Sequence, residues 1–588
     1  MENIDLDIKV YQLDDIPLIL NIIEKMNIVS IIDNFLPVHG LHQGLSNGWL
    51  TAIWLCHILT TSNHAKCHVR EWSVINKDVL ELYTGQKIRE VEFDDCRLSL
   101  LLKRLSKKDA KESIETNLFA DNLYLYNFKT IHEQMQDATD NKILTSIHID
   151  TTTTYGYHTN EDGIMQYGHS KDHRPDLLQM KLLAVAIKGK LLHHQTYSGD
   201  RADDNLYYPA IEQVQKIVGK DGGLYVGDCK IAALETRAKI AQDGNYYLTH
   251  LPENKGNKEY ISSCIENIIN SETQICTLVY KEDVLLGGGY NSSRNLCYKI
   301  DNQLENFSWN ENIFLFRSLN HYASIKKNLD KKLLQAIDEL KKLTPAVAKG
   351  KRQICEEEEL KQKTASILKD YNFENVIDIK YEAQTTTTTR FVGKGRGGNN
   401  RATKEIQTKR YQITSVTTNE QNYKELLLRK GWIVYVSNVP TEIINLNNAI
   451  LTYRQNYHLE NKFHILKDKP LSISPLYVHK DEQIIGLTNL LMLAFRIIEY
   501  LETTLTEQIA IQNKPLKGLY ESHSKKLFYS VTFVTLLSFF TKFNISLTVI
   551  YSNGKIIKQQ INNINDEHLK ILSLLNIPIE KYTKPLKL

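Results

Sequence analysis

The sequence predicts a multi-domain α/β protein built around a mixed sheet flanked by helices, and three observations predict it. The chain has 588 residues, several times the usual domain length, so roughly three to four structural units are expected. From about residue 143, apolar and β-branched runs separated by turn residues give way to alternating strand and helix periods, the pattern of a mixed sheet. A strand period returns at Gly431 after a long stretch of different character, which marks that stretch as an insertion.

Composition limits the function classes. With 42% hydrophobic and 24% charged residues the chain reads as globular rather than disordered or fibrous. The acidic start MENIDLDIKV lacks a secretory signal, and the longest apolar stretch, Val531 to Phe540, is shorter than the roughly 20 residues of a spanning helix. A buried helix or strand is expected there, and no membrane partner. The eight cysteines include no C-x-x-C pair, which argues against a zinc ribbon or disulfide framework and for a reducing, cytoplasmic setting. His64, Cys67 and His68 lack a second ligand pair, so no metal site is assigned to them. A net charge of +3 means that any nucleic-acid surface must be local.

Residues 1–140 read as a mostly helical N-terminal region, with apolar runs such as Ile53 to Leu59 and a leucine-spaced helix from Arg97. Lys103, Arg104, Lys107, Lys108 and Lys111 make the exposed side of that helix basic, either as a solvated face or as a contact for DNA phosphates. Residues 141–254 hold strands Ile143 to Asp150, Gln179 to Ile187 and Leu191 to Tyr197, then a helix from Asn205, a strand Gly223 to Val226, a helix from Ile231 and a strand Asn245 to Thr249. Residues 255–429 read as an inserted subdomain with charged helices and a Gly-rich basic segment. Residues 430–510 resume with the strand at Gly431, one long helix from about Glu442 to Asp468 and a helix from Ile485. A C-terminal region, 511–588, completes the chain.

Three acids stand where chemistry is expected. Asp150 closes a β-branched run, and Asp228 follows Leu224-Tyr-Val-Gly and precedes a helix. Both therefore fall at the carboxyl edge of the sheet, where ligands of open α/β sheets bind. Each alone could equally be a turn or N-cap residue. Tyr453, Tyr457, Glu460 and Lys467 share a narrow helical arc, which gathers an acid, a cation and phenols on one face. Lys171, His173, Arg174 and Lys181 form a basic cluster after the first acid, suited to phosphate or to an ion-pair network with Asp172 and Asp176. The window Arg390 to Arg410, which contains Arg396, has seven basic residues against one acid and glycines at 393, 395, 397 and 398, as a DNA-clasping or merely solvated loop requires.

These residues carry a resemblance. Tyr453, Glu460 and Lys467 match the Tyr-x2-Arg-x3-Glu-x6-Lys signature of DDE-type transposases of bacterial insertion sequences. The arginine position is Asn456 here, with Arg454 as the candidate substitute. Gly168-His-Ser-Lys-Asp-His-Arg-Pro-Asp-Leu and Val226-Gly-Asp-Cys-Lys-Ile-Ala-Ala-Leu-Glu-Thr-Arg are similar to the same group.

The resemblance implies a ribonuclease-H-like core in which Asp150, Asp228 and Glu460 form the catalytic and metal-binding triad. Two Mg²⁺ ions are implied, with Mn²⁺ as a substitute, and double-stranded DNA as partner, both as terminal inverted repeats and as target. Tyr453, Arg454, Lys467, Lys171, Arg174, Lys181 and Arg396 are the expected DNA contacts, and a homodimer on DNA in a bacterial, nucleoid-associated setting is implied. Two alternatives share these features: a ribonuclease-H-like nuclease that cuts without joining, and a transposase-derived DNA-binding protein without chemistry.

Overall fold

The computed structural model describes residues 6–136, 143–159, 163–270, 276–300, 306–348, 350–393, 402–520, 526–553 and 555–583. In chain order it begins with β1 (Leu6–Gln12), α1 (Ile16–Lys25), α2 (Ile28–Phe35), α3 (Asn47–Thr61), α4 (Lys66–Ile75), α5 (Lys77–Thr84), α6 (Asp95–Leu105), α7 (Lys108–Asp121), α8 (Leu123–Tyr126) and α9 (Ile131–Met135). Next come β2 (Ile147–Gly156), β3 (Leu178–Ile187), β4 (Lys190–Ser198), α10 (Tyr207–Val218), β5 (Leu224–Gly227), α11 (Leu234–Gln242) and β6 (Tyr246–His250). The middle of the chain forms α12 (Lys258–Ile269), β7 (Thr277–Lys281), β8 (Val284–Tyr298), β9 (Phe307–Ser318), α13 (Leu319–Lys342), α14 (Glu357–Tyr371), β10 (Ile377–Phe391), β11 (Thr403–Thr418), α15 (Glu420–Leu428) and β12 (Trp432–Ser437). The last part holds α16 (Leu446–Arg454), α17 (Tyr457–Lys467), α18 (Asp481–Gln512), α19 (Phe533–Thr541), β13 (Ser546–Ser552), β14 (Lys555–Asn562), α20 (Asp566–Leu574) and α21 (Ile579–Thr583).

Two compact units result: Met1–Thr249 with Arg294–Glu311 and Val436–Leu588, and His250–Ser293 with Asn312–Tyr435. The first contains the mixed sheet of the predicted fold class, flanked by helices. Its order is β4-β3-β2-β5-β6, followed by the parts of β12, β9 and β8 that fall in this unit. The β4-β3-β2 meander is antiparallel, and β5 and β6 are added in parallel. This is the mixed sheet that the sequence predicts. The β3–β4 turn uses Lys188 at φ 51° and Gly189 at φ 75°, the two positive-φ positions of a hairpin turn whose twist matches its strands.

Helices complete this unit. Leu98, Leu101, Leu102 and Leu105 form the buried stripe of α6, which packs on α18. Gly486 of α18 is forced by that packing, since a Cβ there would lie 2.0 Å from the Leu102 carbonyl oxygen. Among the described residues α18 alone is long and apolar enough to cross a membrane, and 94% of its most apolar window is buried inside the molecule.

In the second unit α13, α14, α15 and β10 share a core of Ala336, Leu340, Phe373, Val376, Ile377, Tyr423 and Leu427. β10 and β11 form a two-stranded antiparallel hairpin that carries the threonine run, and β7 pairs with β8.

Several expectations are corrected. The strand expected to end at Asp150 continues to Gly156, because Thr151 to Gly156 pair with β3 as far as Leu178. The single helix expected from Glu442 to Asp468 is two. The amides of Gln455 and Asn456 bond three residues back, to the carbonyls of Thr452 (3.1 Å) and Tyr453 (3.0 Å), and this tight turn closes α16 before α17 begins. Tyr453 therefore does not share a helix with Glu460. The helical N-terminal region begins with a strand, β1, and the C-terminal region joins it, since β13 pairs with that strand. Lys111 is not on an exposed face: it is buried and pairs with Glu115 at 3.1 Å. Val531 to Phe540 lies mostly within α19, a buried helix as expected.

Gly486→Ala tests the α6–α18 packing. Alanine normally gains about 1 kcal/mol over glycine within a helix, but the added methyl would overpack this contact at a cost of about 1–3 kcal/mol. The expected outcome is a lower melting temperature by calorimetry, and an unchanged or raised one would contradict the packing.

Candidate active site

The parallel register of β2 and β5 runs Ile147 to Tyr225, His148 to Val226 and Ile149 to Gly227. The next residues on the two strands are Asp150 and Asp228. Both acids thus lie at the carboxyl edge of the parallel pair, although β2 itself continues. Gly227 allows the close approach: a Cβ there would lie 2.5 Å from Ile231 Cδ1 and 3.2 Å from the Ile149 carbonyl oxygen.

Each acid is fixed by donors from several elements. Asp228 Oδ1 accepts from the Tyr207 hydroxyl on α10 and from the Lys230 amide, both at 3.0 Å. The Asp228 carbonyl accepts from Thr249 Oγ1 at 2.8 Å, which ties the turn to β6. Asp150 Oδ1 accepts from the Thr151 amide at 2.7 Å and lies 3.6 Å from Lys171 Nζ. Lys171 is held in turn by its own amide, which donates to Thr153 Oγ1 at 2.9 Å, and by its ammonium, which donates to Thr151 Oγ1 at 3.0 Å. Glu460 is exposed in the first turn of α17, and that helix packs on β2 and β3.

Asp150 senses the other two acids. Burial pushes the Asp150 carboxyl up from its ordinary 3.8 to about 6; the Lys171 ammonium and Thr151 amide pull it down, and the charges of Asp228 and Glu460 push it further up. Burial and the charges of Asp228 and Asp150 also hold the Tyr207 phenol well above its usual range, so it stays a donor to Asp228. Among the described residues no three His, Cys, Asp or Glu side chains are gathered tightly enough to hold a metal ion as they stand. The donor chemistry nevertheless fits a hard divalent cation. All three acids are carboxylates, the hard oxygen donors that such a cation prefers.

The cations expected to meet DNA are placed as follows. Lys171 pairs with Asp150, Arg174 with Asp176 at 2.8 Å, and the buried Lys181 with Asp203 at 2.7 Å. Lys467 pairs with Asp172, which binds α17 to the 168–177 loop. Arg454 is exposed at the end of α16 and Tyr453 is half-buried. Arg396 lies outside the described residues. Away from the acids, His64 Nδ1 is 3.1 Å from the Leu471 carbonyl oxygen and Cys67 is exposed.

Sequence reasoning missed Tyr207 and did not pair Lys171 with Asp150. Tyr207 carries no spacing signal, because its link to Asp228 arises from α10 packing beside β5. The Lys171–Asp150 pair was signalled only by a basic cluster that follows an acidic strand.

The Asp150 shift has a consequence for stability. Between pH 3.8 and about pH 6 the folded chain binds this proton more tightly than the unfolded chain, so stability falls as pH rises through that window. A carboxyl held up at about 6 rather than 3.8 corresponds to about 3 kcal/mol at neutral pH. Asp150→Asn in chelator-treated protein is therefore expected to raise stability to denaturant at pH 7.5, with the gain fading below about pH 4. Equal stability of variant and native chain at both pH values would refute the buried, repelled state of Asp150.

No family model matches this chain, and no curated protein matches it. Among solved structures the chain is similar to a piggyBac transposase synaptic complex with hairpin DNA, with a TM-score of 0.32 and 9% identity over 86% of this chain and 78% of that one. A likeness that remote carries no argument about function.

Proposed function

We propose that this chain is a DDE-type transposase that cuts the ends of its own mobile element and joins them to new DNA. The observation that carries this reading is the β2–β5 register, which sets Asp150 beside Asp228 at the strands' carboxyl edge. Glu460 is near enough to oppose the ionisation of Asp150. Strand edges of this kind are where α/β sheets bind ligands, and like-charged carboxylates gathered at one are a functional-site signature.

Asp150, Asp228 and Glu460 would hold two Mg²⁺ ions, or Mn²⁺ in their place. Such ions, when bound, stabilise the attacking and leaving oxygens of a phosphodiester and lower the pKa of the attacking water. The rest falls to the chain's own residues. Tyr207 and the Lys230 amide orient the Asp228 carboxylate, and the Thr151 amide orients that of Asp150. Lys171 balances Asp150 and can turn its half-exposed ammonium to a phosphate oxygen. Lys467, paired with Asp172, fixes the loop that carries Arg174 beside α17. Arg174, Arg454 and Tyr453 are the backbone contacts of this reading, while the buried Lys181 supports the site from beneath. Residues 1–140 are assigned to recognition of the element's ends, and a homodimer to holding two ends together.

The test is cleavage and joining of a labelled duplex carrying the ends that flank this gene, in Mg²⁺. The native chain is expected to cut and join. Glu460→Gln and Asp228→Asn are expected to lose both by at least about a hundredfold while still retarding the duplex. Cutting without joining by the native chain would replace the proposal with a nuclease, and binding without cutting would replace it with a DNA-binding protein.

A further inference from the structure

The three-stranded sheet of the first unit has the order β1-β13-β14, so among the described residues β1 has a strand on one side only. An unpaired edge is a template for another strand, and soluble proteins usually blunt it with charge or cover it. β1 does neither fully. Leu6, Ile8 and Val10 alternate along it and are 56%, 59% and 64% exposed. By register the same face continues through Ile550 and Thr548 on β13 to Lys558 and Gln560 on β14. The face is thus apolar at the free edge and polar at the far edge. An apolar centre with a polar rim is the pattern of an interface, with its centre at the edge itself.

We propose that a second copy of this chain occupies the β1 edge, antiparallel to it about a twofold axis at Ile8, and that this dimer forms without DNA. The charges on β1 select the partner and the register. A twofold axis normal to the sheet must pass through a residue, because paired side chains share a face. An axis at Asp7 sets Asp7 opposite itself, and one at Lys9 sets Lys9 opposite itself, both repulsive. An axis at Ile8 sets Asp7 against Lys9 of the second copy, twice by symmetry. It also sets Ile8 against Ile8 and Leu6 against Val10, with all the apolar residues on the open face. Lys9, which would otherwise guard the edge, is thereby neutralised. Asp7 makes no ion pair among the described residues and is available for it, while Lys9 lies over the Tyr551 ring of β13 at 5.7 Å and turns from that ring to the free edge to meet it. The proposal does not depend on the transposase reading, since no residue of the acidic site takes part.

The experiment measures the mass of the full chain in solution by light scattering without DNA, alongside circular dichroism to compare folding. The native chain is expected at twice its chain mass. Asp7→Lys should weaken the dimer on the order of tenfold, because it replaces two attractive pairs by two repulsive ones. Adding Lys9→Asp to Asp7→Lys swaps the charges and should restore the dimer, a recovery that a misfolded variant would not give. Ile8→Cys should couple to its own copy on mild oxidation, since directly opposed strand residues lie within disulfide reach. Asp7→Cys and the native chain, with its exposed cysteines, should not. A native chain of single mass, a dimer indifferent to Asp7→Lys, a charge swap that fails to restore it, or equal coupling at positions 7 and 8 would each overturn the proposal.

Discussion

The parallel pairing of Ile149 with Gly227 is the constraint on which the candidate site depends. Two strands in that register deliver their next residues to the same place, and both are aspartates. The site is therefore an electrostatic conflict imposed by hydrogen-bonded backbone. The surrounding residues answer to it: Lys171 offers charge, Tyr207 and the Lys230 and Thr151 amides offer donors, and Thr249 ties the turn to the neighbouring strand. These contacts do not cancel the cost of the charge, because burial, with the charges of Asp228 and Glu460 added to it, still holds the Asp150 carboxyl up at about 6. A sheet edge that served only stability would carry neutral residues in these two positions. Retaining a locally unfavourable choice against a consistent background is what functional sites do.

Glu460 stands on a helix, α17, that packs on β2 and β3 and is anchored on two sides. Lys462, on the opposite face of α17 from Glu460, lies 3.8 Å from both Glu499 and Glu502 of α18. Lys467, on the same face as Glu460, pairs with Asp172 in the loop after β2. Below α17, Glu115 accepts from His193 Nδ1 at 2.7 Å and from Lys111 at 3.1 Å, and Arg496 donates to the carbonyl oxygens of Leu191 and Leu192. This buried network joins α7, β4 and α18. Buried charge pairs add little net stability over apolar packing, yet losing one partner is costly. Their effect here is to define one arrangement of the helices that carry α17.

Where local pattern decides structure, the sequence was legible. The strands around Asp150, Asp228 and the 179–197 hairpin follow from β-branched runs and the Lys188-Gly189 turn, and the leucine stripe of α6 follows from helical spacing. The break between α16 and α17 was not legible, because Gln455 and Asn456 keep right-handed helical backbone angles. The apolar period therefore runs through the turn undisturbed. Lys111 reads as a surface residue because its burial comes from Glu115 four residues on and from His194, which lies on a strand far along the chain. The cations near Asp150 could be read as phosphate contacts or as an ion-pair network, and the structure has them in ion pairs. Asp172 and Asp176 lie in the same stretch as the cations, but the pairing of Lys181 with Asp203 and of Lys467 with Asp172 depended on the tertiary fold, which no spacing records.

The least legible feature is also the longest in range. β1 pairs with β13 from Leu6 opposite Ser552 to Gln12 opposite Ser546. Lys25 donates to the carbonyls of Leu575 and Asn576 at 2.6 Å, the Tyr83 hydroxyl donates to the carbonyl of Tyr582 at 2.9 Å, and Tyr582 is fully buried. Residues 6–83 and 546–583 thus meet in one layer. Closing contacts between residues so far apart in sequence is entropically costly and slow. The strands that place Asp150 and Asp228, by contrast, lie between residues 147 and 250. The placement of Asp150 beside Asp228 is accordingly set by comparatively local pairing, while the layer made by β1, β13 and β14 supplies a separate surface. Evolution or mutation can alter that surface at β1 without moving the acids, because no hydrogen bond or ion pair among the described residues links β1 to Asp150, Asp228 or Glu460.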